Sequence, residues 1–199
     1  MITIELIIAL ISYYFVMYIT PGPNNTMLTA SGIKFGFSKT VPHIFGVSTG
    51  HAFQLTLVCL GLGKLFEKYP FIQDSLKWIG SAYLLYLAWK MFGSIKVEHQ
   101  DTNRPLKFYE AILFQFVNPK AWIICSNAVV LFFPKEENLF FAIIFLVSFS
   151  YLINFPCISS WALFGSGIRN FLQNIKIKKT VEWVMAILLV LTSFSILFG

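Results

Sequence analysis

Charge is what this sequence lacks most, and acidic charge above all. Only 12% of its 199 residues are charged, with nine Asp and Glu against 15 Lys and Arg. Soluble domains carry about 25% charged residues, so a soluble fold is excluded. Cysteine is scarce too. Cys59, Cys125 and Cys157 lie far apart inside apolar segments with no C-x-x-C spacing, and they read as ordinary core residues that report no redox compartment. There is no P-loop, H-E-x-x-H motif or nucleophile elbow, which argues against ATP-driven work, hydrolysis or any other enzymatic activity in this chain, and no cofactor is implied. The net charge of +6 does not mark a nucleic-acid binder. Its basic residues sit in short segments between apolar blocks, without a basic stripe or interleaved stacking residues. The first apolar segment has no basic n-region and no small-residue cleavage site after it, and it is too long for a cleavable signal peptide.

What the sequence has is apolar length. It is 57% hydrophobic with 22 phenylalanines and a mean hydropathy of +0.71. Six apolar blocks stand out, at about Ile4–Ile19, Val41–Leu62, Phe71–Phe92, Phe108–Phe133, Leu139–Phe164 and Val181–Phe198. Each is long enough to cross most of a hydrocarbon core roughly 30 Å thick at about 1.5 Å per residue, and in lipid each must be helical. The reading is an all-α integral membrane protein. One side of the membrane receives Lys34, Lys39, Lys90, Lys96, Arg104, Lys107, Arg169, Lys176, Lys178 and Lys179; the other receives Lys64, Lys68, Lys77 and Lys135. The positive-inside rule then puts both termini on the outer face.

The polar stretch at about 94–107 divides the six spans into a first half, about 1–93, and a second, about 108–199, within one transmembrane domain. Three crossings leave the chain on the far side, so a three-helix unit used twice inserts in opposite orientations. The first helix of each half carries a matching oddity. Helix one ends in "TPGPNN", with Pro21, Gly22, Pro23, Asn24 and Asn25; helix four contains "FVNPKAW", with Asn118, Pro119 and Lys120 well inside an apolar run. Paired interruptions in two halves are a sequence pointer to a transporter binding site. The expected architecture is therefore two inverted three-helix repeats with discontinuous helices 1 and 4.

Each proline removes a backbone donor and blocks a carbonyl a turn earlier, and freed groups are tolerated in a membrane only under protein or a wet cavity. Asn24, Asn25 and Thr26 are candidates to cap a new helix whose N-terminal amides suit a carboxylate; the alternative is a helix that merely ends, with Asn24 capping a short surface helix. Lys120 is placed to meet a substrate carboxylate or to change protonation during a cycle; the alternative is a stem that snorkels to an interface. No carboxylate sits at mid-span, which favours a zwitterion over a substrate with a cationic side chain. The zwitterion's ammonium has Asn24 and Asn118 oxygens within its choice of acceptors. His51 in helix two is a candidate proton carrier, or else a structural histidine between helices. Gly46 and Gly50 form a G-x-x-x-G suited to close helix approach, within the protomer or across a homodimer. Asn154 beside Pro156 is a further candidate lining residue. Trp78, Tyr83, Tyr86 and Trp89 read as interfacial anchors and packing.

Taken together, "TPGPNN", "GFSKTVPHIFGVSTGH", "WIGSAYLLYLAWK" and "FQFVNPKAW" resemble, in order and spacing, the LysE/RhtB family of bacterial amino-acid exporters over nearly the whole chain. "PLKFYEAILFQFVNPKA" is most similar to the cysteine/O-acetylserine efflux branch. The resemblance implies efflux of small amino acids or derivatives across the cytoplasmic membrane against proton entry. Substrate binding would fall on the two proline motifs and proton coupling on His51 or Lys120. Where basic-amino-acid exporters of the wider group tend to carry an acid in helix two, this chain has His51. Two other classes compete: a non-transporting membrane scaffold, and a thiol redox conduit of related architecture. The conduit needs a cysteine at each break, and helix one has none.

Overall fold

In the computed structural model the described residues are 2–62, scattered positions between 68 and 89, 104–134 and 137–198. Among them there is no strand. The helices are α1 (Ile4–Ile19), α2 (Pro23–Phe35), α3 (Phe37–Leu57), α4 (Phe108–Val117), α5 (Pro119–Phe132), α6 (Leu139–Ile168) and α7 (Ile175–Phe198). The third apolar block is described only at scattered positions. Most of the polar stretch, together with Lys64, Lys77, Tyr83, Lys90, Lys96 and Lys135, lies outside the described residues. Ser81 and Ser193 exchange hydroxyl-to-carbonyl hydrogen bonds, and Ala88 packs with Ala186 and Leu189, so the described part of that block lies along α7.

Local sequence sets the helix ends. The Thr3 hydroxyl accepts from the Leu6 N–H and caps α1. Thr20 and Asn118, each followed by proline, take the extended conformation that proline imposes on its predecessor, and α1 and α4 stop there. Pro23 and Pro119 then open α2 and α5 at the first helical position, where their missing N–H costs no helical bond. Gly36, at φ 84°, ends α2 and turns directly into α3. A five-residue π turn, Val58–Leu62, follows α3, with Gly61 at φ 124°. Asn138 caps α6, and a 3-10 turn, Arg169–Gln173, leads toward α7.

Three expectations need correction. The cap of α2 is Gly22, without a side-chain hydrogen bond, and not Asn24, Asn25 or Thr26; with proline at the first helical position, those three already lie inside the first turn. Helix two begins at Phe37 instead of Val41, so Lys34 and Lys39 lie in helices and Gly36 alone separates α2 from α3. The last helix begins at Ile175, not Val181. Of its early lysines, Lys176 and Lys179 ride exposed on helical turns and Lys178 is half-buried, as long aliphatic stems permit.

Among the described residues two helices are long and apolar enough to cross a membrane, Phe37–Gly61 and Leu139–Leu172; α1 and α2 make a third span if the pair, bent by 54°, is taken as one. α1, α2 and α6 run parallel, as the successive pairs Tyr14–Leu146, Tyr18–Ser150 and Thr29–Trp161 require. α3 and α4 run parallel to each other, Gly46 against Phe108 and Gly50 against Ile112. Each broken helix thus packs on a helix from the other half, and α3 packs on α6 between them. Glycine permits both approaches. A Cβ at Gly46 or Gly50 would overlap α4, and one at Gly165 would overlap the Thr29 carbonyl of α2. The G-x-x-x-G is therefore occupied within the protomer, against α4.

Candidate functional site

The two breaks meet. Where they face each other lies a small, partly open cavity of about 30 Å³, enough to hold a water or two. Gly22, Pro23, Asn24 and Asn25 line it from the first break, and Asn118 and Lys120 from the second. His51 of α3 and Asn154 of α6 complete the polar wall.

Ending a helix inside a membrane strands its last carbonyls, and each needs a donor. At the first break every one is supplied. The Val16 carbonyl accepts from the Thr20 N–H, and that of Met17 from the Thr20 hydroxyl. Asn25 turns its Nδ2 back onto the carbonyls of Tyr18 (2.9 Å) and Thr20 (2.8 Å). The Trp161 indole donates to Ile19 at 3.1 Å, and the Thr192 hydroxyl to Pro21 at 3.0 Å. Lys120 crosses from the second break to finish the set. Its Nζ donates to the Thr20 carbonyl (2.8 Å), the Thr20 hydroxyl (2.9 Å) and the Pro21 carbonyl (2.9 Å). All three ammonium protons are placed, in a side chain only 7% exposed. The negative end of the α1 dipole supplies further attraction. Gly22 makes room for the stem, since a Cβ there would come within 2.8 Å of Lys120 Cδ.

The second break is served by neutral groups. Gln54 Nε2 donates to the Gln115 carbonyl at 3.2 Å, and the Trp122 indole to that of Phe116 at 2.9 Å. Asn24 and Gln115 exchange amide hydrogen bonds of 2.9 and 3.1 Å across the gap. Asn118 Oδ1 is left over. It is buried, in a residue 2% exposed, and has no hydrogen-bond partner among the described residues.

A chain of neutral groups runs behind the cavity. His51 Nε2 lies 2.8 Å from Tyr18 Oη, which lies 2.6 Å from Ser150 Oγ, and the Cys125 thiol is 3.9 Å from the His51 ring nitrogens. The Ser48 hydroxyl donates to Asn154 Oδ1 at 2.9 Å. Among the described residues no carboxylate lines the cavity. Glu182 is buried two turns into α7 and does not reach the cavity wall.

A model of LysE type translocators matches residues 15–198, a span that includes both breaks. The chain belongs to the LysE family. Among relatives of this LysE-family protein, the cysteine/O-acetylserine efflux protein of Escherichia coli O1:K1 is 28% identical over 198 residues, 98% of this chain and all of that one. The protein of the same name from Salmonella typhimurium is 31% identical over 130 residues, 64% of this chain and 66% of the other. No solved structure matches the chain.

Of the ten candidate residues read from the sequence, this LysE-family structure gathers eight at the cavity; Pro21 and Pro119 stand behind it, one offering its carbonyl and the other opening α5. Sequence reasoning missed Tyr18, Gln115, Trp161 and Thr192. For Tyr18 a signal was present: Leu10, Tyr14 and Tyr18, four residues apart, are the fully inward positions of α1. In a helix apolar all round, that spacing has no polar face to stand out against.

Proposed function

We propose that the protein is a secondary transporter of the bacterial cytoplasmic membrane that exports small neutral amino acids or their derivatives, of the cysteine/O-acetylserine or threonine/homoserine class, in exchange for protons. The observation that carries this reading is the meeting of two proline breaks around one small cavity, with a lysine and, among the described residues, an unpartnered asparagine oxygen and no carboxylate. The family match and the names of the relatives favour it. A substrate carboxylate is received by the first-turn amides of α2 and by Lys120, which yields one of its carbonyl contacts. The substrate ammonium donates to Asn118 Oδ1. A second cation in the same cavity would meet Lys120 with no acid to offset it, which disfavours lysine and arginine as substrates.

In this reading the six spans form two inverted repeats with both termini outside, and the halves rock about the breaks to expose the cavity to either side. The crossed packing of each broken helix on the opposite half is what such a repeat would produce. His51 is the proton-carrying candidate because it lines the cavity and, among the described residues, is held by Tyr18 and Cys125 alone. The test is efflux of a labelled amino-acid panel from bacteria stripped of their own exporters, with this protein or its Lys120→Ala variant. Selective efflux of a neutral amino acid, lost in a variant that still reaches the membrane, supports the reading. Selective lysine or arginine efflux overturns the substrate class. No efflux of any kind leaves the membrane scaffold as the better account.

A further inference from the structure

The two breaks are tied by contacts that mirror one another. Pro23 and Pro119 occupy the same position, the first residue of the helix after the break, and Asn24 and Lys120 follow them. Each of these next residues reaches across to the other half. Lys120 of α5 holds the end of α1, and Asn24 of α2 holds Gln115 near the end of α4. The first tie thus joins α1 to α5 and the second joins α2 to α4. α2 runs from the break to the Gly36 turn, and α4 starts at the same end of the bundle, since its Phe108 sits on Gly46 in the first half of α3. The ties therefore lie on opposite sides of the cavity.

We infer that Gln115 is part of the transport machinery, and that its amide pair with Asn24 closes the cavity on the α2–α4 side and parts once in every cycle. This rests on the transport reading above. Gln115 is saturated as it stands: Oε1 accepts from Asn24, and Nε2 donates both to Asn24 and to the Ala111 carbonyl of its own helix. It is fully buried, in a helix whose one charged residue, Glu110, lies in the first turn. A latch must be specific when shut and weak enough to open. Two amide hydrogen bonds suit that better than the three lysine hydrogen bonds on the opposite side, and the Ala111 carbonyl keeps the freed Gln115 amide partly satisfied. When the pair parts, Asn24 is released to face the cavity that it already lines.

The test is to cross-link the latch. An Asn24→Cys/Gln115→Cys variant of the full chain is treated in the membrane with a short bis-methanethiosulfonate reagent, and efflux of the labelled panel is followed before treatment, after it, and after reduction. Mass spectrometry verifies the bridge, and the wild type with its three native thiols is the control. Efflux should fall to the level of cells without the protein and return on reduction. Efflux from the bridged protein at the untreated rate overturns the latch. If the cysteine variant is inactive before bridging, the exchange Asn24→Gln/Gln115→Asn decides, because it keeps the paired amides and their combined length. It should export better than either single substitution, and a swap no better than the singles also overturns the proposal. A wild type that exports nothing removes the transport reading and the latch with it, whereas export by wild type and bridged variant alike removes the latch alone.

Discussion

The first break takes three residues, Thr20 to Gly22, out of helical structure, while the second takes only Asn118. The longer interruption frees more carbonyl oxygen at the end of α1, and it is answered by a cation, two hydroxyls, an amide and an indole. The shorter one is answered by amides and an indole alone, and Asn118 Oδ1 stays unclaimed. The same punctuation, proline at the first helical position, thus gives a closed, charged joint in one half and an open, neutral one in the other.

That comparison can be broken most forcefully where each broken helix seats on its partner. Gly165→Leu and Gly50→Leu would drive a side chain into the backbone of α2 and of α4 respectively. Overpacking of this kind costs about 1–3 kcal/mol. Both should lower the amount of folded protein in the membrane, to a similar degree if the halves are equivalent, as immunoblots and size-exclusion profiles in detergent would show. A loss confined to one of them would break the equivalence.

Next in size is Lys120→Met. Asn25 and Thr192 remain on the Thr20 and Pro21 carbonyls, so stability measured by thermal unfolding in detergent should change by only about 1–3 kcal/mol. Export should nevertheless be abolished. Asn118→Leu sharpens the contrast, because among the described residues its Oδ1 holds no other group. Folding should be unaffected, and the half-saturating internal substrate concentration should rise several-fold at unchanged protein level. The indoles give a smaller effect. Trp161→Phe and Trp122→Phe each remove one hydrogen bond to a stranded carbonyl, worth about 0.5–1.5 kcal/mol of stability. Smallest of all is Arg104→Ala. Its bidentate pair with Glu110 is solvent-exposed, and its loss should leave both export and melting temperature where they were.

Both breaks were legible because proline beside asparagine or lysine inside an apolar run has a free-energy cost that only a covered or wet site can offset. Lys120 could be read as inward-facing on the same ground, but its partners could not. The carbonyls it holds belong to residues about 100 positions away, and any backbone oxygen looks the same in sequence. Gln115 was passed over because a single amide in an apolar helix has no periodic neighbour to mark it, and its partner Asn24 is 91 residues distant. Gly46 and Gly50 announced a close approach without saying to what; α4 is the answer. The starts of α3 and α7 were placed late because lysine, threonine and proline in their first turns look like loop when read by hydropathy alone. An amphipathic helix end at a membrane surface has that same composition.

The two indoles have a use beyond stability. Trp161 and Trp122 each donate a hydrogen bond to a carbonyl stranded at one of the two breaks. Indole emission shifts with the polarity around its N–H, so each joint carries its own optical probe. A protein retaining one or the other as its sole tryptophan would report, in the colour and quenching of its fluorescence, the moment water reaches that joint. The order in which the two sides open could then be timed without attaching any label.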